Sequence, residues 1–80
     1  MKAIEIFESM GYILIRNDDD YISYEKKVNE DMNKIVMFGS QLESMNVFYE
    51  SETIQITDIP SIGLDLNEAI QVQLRELDWI

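Results

Sequence analysis

Residues 2–10, KAIEIFESM, set Ala3, Ile6, Phe7 and Met10 at i, i+3, i+4 and i+7. That spacing is one face of a helix, with Glu5 and Glu8 turned outward. Gly11 follows the last periodic residue and predicts a left-handed C-cap, which glycine adopts without a Cβ clash. From Tyr12 to about Thr57 the period changes to two, in short segments rich in Ile, Val, Tyr, Phe and Thr. The predicted strands are Tyr12–Arg16, Tyr21–Val28, Lys34–Phe38 and Met45–Glu50, with Thr53–Thr57 as a possible fifth. Asn17-Asp18-Asp19-Asp20 and Asn29-Glu30-Asp31-Met32-Asn33 are the first two reversals, and Gly39 to Ser44 is the third. Connections this short favour an antiparallel meander, because parallel crossovers need a dozen or more residues.

Residues 58–64 hold the only proline and read as a loop leading to a last helix. Asp65 with Glu68 three positions on predicts a capping box at its start. Leu66, Ala69, Ile70, Gln73, Leu74 and Leu77 then form the face that would lie on the sheet. The expected fold is α+β: one domain over residues 1–80, an antiparallel sheet of four or five strands flanked by N-terminal and C-terminal helices. One feature of the strands does not fit a sheet solvated on one side. Tyr12 and Leu14 oppose Ile13 and Ile15, and Val36 and Phe38 oppose Ile35 and Met37, so both faces are apolar. Either the sheet curls over its second face or that face is an interface, most simply that of a homodimer.

Composition narrows the function. Eighty residues bury only about 60–65% of the unfolded chain's surface, so the core is small. With neither Cys nor His there is no disulfide, thiolate nucleophile, histidine base or common zinc ligand. The net charge of −10 opposes binding to phosphate backbones and anionic membranes. No uninterrupted apolar run exceeds four residues, as in Tyr12–Ile15, where a spanning helix needs about 20. The start, Met1-Lys2-Ala3-Ile4-Glu5, has acid where a signal peptide needs base, which predicts a cytoplasmic location.

Candidate chemistry is sparse. The Asn17–Asp20 run offers oxygen ligands but lacks the alternating spacing and distal Glu of a calcium loop, and reads as a turn. No serine lies in a Gly-x-Ser-x-Gly context, and Gly11, Gly39 and Gly63 are isolated, so neither a nucleophile elbow nor a phosphate loop is present. Tyr21, Tyr24, Phe38, Phe48 and Tyr49 lack the accompanying Lys and Arg of an RNA-binding sheet and read as packing residues. No catalytic residue, metal site or cofactor is expected. Charge is uneven: residues 1–40 sum to −3 and residues 41–80 to −7, where Arg75 is the only base. The acids Glu43, Glu50, Glu52 and Asp58 are therefore the expected binding residues, facing a basic protein partner.

The segments IFESMGY, YISYEKK and LNEAIQVQLRELDWI together resemble a group of uncharacterised small proteins from phages and prophages of Gram-positive bacteria. Phe7, Gly11, Tyr12, Ile22, Tyr24, Leu77 and Trp79 carry the likeness, while Asp78 stands where that group more often has Gly. The resemblance implies a phage-associated origin, hence the host-cell cytoplasm, and an α+β fold, and brings no activity. The expectation is a non-enzymatic acidic protein acting through protein–protein contact, including contact with a second copy. The alternative is an inhibitor that mimics DNA and occupies the basic groove of a host nuclease or defence protein.

Overall fold

The computed structural model describes residues 1–80. Helix α1 (Ala3–Ser9) is followed by strands β1 (Ile13–Asn17), β2 (Tyr21–Asn29), β3 (Met32–Gly39) and β4 (Ser44–Glu50), and then by helix α2 (Leu64–Glu76). The strands form one antiparallel sheet in chain order, β1-β2-β3-β4. Both helices pack on one face of it, as their apolar stripes require.

The core is built around Phe7, which is fully buried. Its ring stacks on Tyr24 at 3.9 Å and meets the edges of Tyr12 at 5.6 Å and Phe38 at 6.4 Å. Leu66, Ala69 and Ile70 of α2 close the same cluster together with Ala3 and Val36. Two polar contacts tie α2 to the rest of the core. The Tyr24 hydroxyl donates to Gln73 Oε1 at 2.6 Å, and the Ala3 N–H donates to Glu76 Oε2 at 2.6 Å. Burial, with the Glu76 and Glu8 charges adding to it, pushes the Tyr24 phenol up to about 12.

Both helices stop in the same way. At the end of α1, Tyr12 N–H bonds Phe7 O and Gly11 N–H bonds Glu8 O; at the end of α2, Trp79 N–H bonds Leu74 O and Asp78 N–H bonds Arg75 O. Each is a Schellman motif with its pivot in the left-handed region: Gly11 at φ 90° and Asp78 at φ 63°. The motif folds Tyr12 and Trp79 back onto the helices they follow.

Three expectations change. The hairpin between β2 and β3 is tighter than predicted, with Asn29 paired to Met32 and only Glu30 and Asp31 between them; Asn29 Oδ1 accepts from the Asp31 N–H at 2.9 Å. Residues 53–57 form no strand. Ser51 Oγ accepts from the Thr53 and Ile54 N–H groups and turns the chain away from β4, leaving Ile54 exposed. Helix α2 begins two residues early, at Leu64 with Gly63 as N-cap in place of Asp65, so Asp65 lies inside the first turn and caps nothing. The capping-box glutamate occurs at the other helix, where Glu5 Oε1 accepts from the Lys2 N–H at 3.0 Å. No helix is long and apolar enough to cross a membrane.

Candidate functional site

Register decides what each face of the sheet presents. Leu14, Tyr24, Val36 and Val47 lie side by side under the helices, as do Ile22, Phe38 and Met45. The opposite face carries Ile13, Glu25, Ile35 and Phe48 in one row and Arg16, Ser23, Met37 and Asn46 in the next. Tyr21, Gly39 and Ser44 bound it at one end, and Lys27, Asn33 and Glu50 at the other. No element covers this face.

A bulge in β1 shapes it. The pairing of β1 with β2 shifts between Leu14 and Arg16, so Ile15 and Arg16 together oppose Ser23. Without the extra residue, Arg16 would share the helix-covered face with Leu14. With it, the guanidinium lies 4.5 Å over the Tyr21 ring and bonds Asp18 at 2.6 Å. The exposed Asp18 carboxylate also accepts from the Asp20 and Tyr21 N–H groups, and these bonds, Arg16 first, hold its pKa at about 2. The Asn17–Asp20 run is thus a turn held by its own side chains, as expected. No group of three or more acids gathers as a metal-ligand set.

The open face is partly dry. Ile35 and Ser23 are buried at its centre by their neighbours' side chains, and the Ser23 hydroxyl has no hydrogen-bond partner. Around them Met37 and Phe48 are half-buried, while Ile13 and Ile15 are 59% and 47% exposed. The middle of the second face is therefore closed to water, while Ile13 and Ile15 on β1 stay exposed.

Of the four expected binding acids, the fold brings two together. Glu50 and Glu52 line an open concavity of about 700 Å³ with Glu25, Glu30, Asp31 and Lys27, at the β2–β3 turn end of the open face. Glu43 is in the β3–β4 turn, at the far end of β4, with a left-handed backbone at φ 47°. Asp58 is exposed in the segment between β4 and α2. The concavity's other acids come from β2 and its turn, in the half of the chain that composition marked as less acidic. Only register could have found them.

No protein-family profile matches the chain, and neither a curated protein nor a solved structure matches it.

Proposed function

We propose that this is a non-enzymatic, phage-associated protein of the cytoplasm that works by binding another protein through the open face of its sheet. The observation that supports it most is the exposed pair Ile13 and Ile15, with half-buried Met37 and Phe48 on the same face, which no helix covers although both helices of the chain are already committed to the other face. Charged side chains lie beside these apolar ones on the same face, Glu25 and Arg16 within its rows and Lys27 and Glu50 at one end, as in a contact surface of mixed character.

The acidic concavity supports a second reading. There Glu50 and Glu52 join Glu25, Glu30 and Asp31, a surface suited to the basic groove of a nucleic-acid-binding protein, as a DNA mimic needs.

Both readings are tested by retention of proteins on the tagged chain from lysate of the cells that make it. In the first, the double variant Ile13→Glu with Ile15→Glu loses what the wild type retains. In the second, that variant retains it and Glu50→Gln with Glu52→Gln loses it. Equal retention by all three overturns both.

A further inference from the structure

The two edges of the sheet are built differently. At one, β1 runs for five residues and is broken by the bulge at Ile15, with Arg16 tied to Asp18 beside it. Bulges and edge charges of this kind keep a foreign strand from pairing. At the other, β4 runs for seven residues without a bulge or a proline and carries no charge from Ser44 to Tyr49. Every second residue of an end strand turns its N–H and C=O outward, and on β4 these groups bond to no other segment of the backbone. Along this edge Met45, Val47 and Tyr49 are only half-buried on the helix side.

Charge marks what the edge takes. Glu43 precedes the first residue of β4, Glu50 ends the strand and Glu52 follows, all three exposed. The edge is thus neutral for about 20 Å and acidic at both ends. We infer that it is a docking site for an extended segment of a basic partner protein. The segment adds as a fifth strand, with apolar side chains beside Met45, Val47 and Tyr49 and Lys or Arg at its two ends. Main-chain hydrogen bonds supply the attachment, and the charges at the ends supply the selection. The site is separate from the open face and acts with or without it.

Two nearer occupants are disfavoured. The chain's own residues 53–57 follow β4 directly, but Ser51 Oγ accepts from the Thr53 and Ile54 N–H groups at 3.2 and 3.3 Å and turns them from the edge. A second copy has the wrong charge. Pairing β4 antiparallel with itself, centred on Val47, sets Glu43 opposite Ser51 of the other copy, between Glu50 and Glu52, and does so at both ends. Like charges so placed across strands are destabilising, and a basic segment turns the same acids into attractions. Glu43, which the fold carries away from the concavity of Glu50 and Glu52, acts here together with them.

Amide hydrogen exchange of the full chain, followed by NMR, is the test. The probe is a synthetic peptide of about nine residues, alternating valine and threonine between terminal lysines, which spans β4 and reaches the acids at its ends. With a dissociation constant of about 0.1 mM, about 1 mM peptide slows exchange of the outward-facing β4 amides about tenfold and leaves those of β1 unchanged. The same peptide with terminal glutamates protects them less, and Glu43→Lys with Glu52→Lys reverses the preference between the two peptides. Protection of β4 by both peptides alike, or by neither, overturns the inference. So does protection of β1 in place of β4. In the free chain, β4 protection that grows with protein concentration assigns the edge to a second copy. Protection of β4 together with residues 53–57 at every concentration assigns it to the chain's own segment, and either result overturns the basic partner.

Discussion

The hydrogen bond between Tyr24 and Gln73 joins the sheet to α2 inside the core, and its removal has a calculable pattern. Tyr24→Phe keeps the ring stacked 3.9 Å from Phe7 and deletes only the hydroxyl, leaving Gln73 Oε1 without its donor in a nearly dry site. A buried polar atom left unpaired costs about 1–3 kcal/mol. Gln73→Leu alone strands the hydroxyl instead and costs a similar amount. The double variant, apolar on both sides, costs less than the two single costs added together, because a pair replaced by matched apolar groups is nearly neutral. For a domain of this size each kcal/mol moves Tm by about 4–8 °C. Urea denaturation followed through Trp79, the single tryptophan, measures all four proteins. The pH dependence adds a second check. The folded state raises the Tyr24 pKa from 10 to about 12, so it favours the neutral phenol. That contribution is complete below pH 10 and is lost as pH rises through 12, and Tyr24→Phe abolishes this part of the alkaline loss. Single variants that cost less than about 0.5 kcal/mol, or costs that simply add, would refute the bond's role.

Two further outcomes follow from the turns. Asp78→Gly relieves a left-handed non-glycine pivot and stabilises the fold by about 0.5–1 kcal/mol, read as a higher urea midpoint; a lower midpoint contradicts the Schellman assignment. Asp18 has a lowered pKa, so the bonds it accepts persist above pH 4 and are lost as pH falls towards 2. The amide resonances of Asp20 and Tyr21 report this titration with a midpoint near 2, and a midpoint near 4 shows that the turn is not held by Asp18.

The elements that could be read from the chain are those set by local periodicity. Ala3, Ile6, Phe7 and Met10 face the core as their spacing predicts, and so do Leu66, Ala69, Ile70 and Gln73, because a helix repeats its face without reference to its neighbours. Gly11 was legible for the same reason: its conformational freedom is a property of one residue. The departures lie where a partner strand decides. Ile54 and Ile56 alternate as a strand does, yet the Ser51 turn takes residues 53–57 away from the β4 edge. The bulge at Ile15 carries no glycine to announce it, and it alone moves Arg16 to the open face. Acidic residues posed a related problem. Their number showed in composition, but Glu50 joins Glu25 and Glu30 across two strand pairings while Glu43 is carried to the other end of β4. The apolar second face, by contrast, could be read from Ile13, Ile15, Ile35 and Met37 before any register was known.

The claim that the open sheet face is the working surface is tested most directly by site-specific photocrosslinking in the cells that make the protein. A photoreactive phenylalanine replaces either Ile15, on the exposed flank of that face, or Glu68, on the exposed side of α2. The account predicts protein adducts from position 15, of twice the chain mass where a second copy is the partner, and none from position 68. Adducts from position 68 alone, or none from position 15 in a chain that folds, would contradict it.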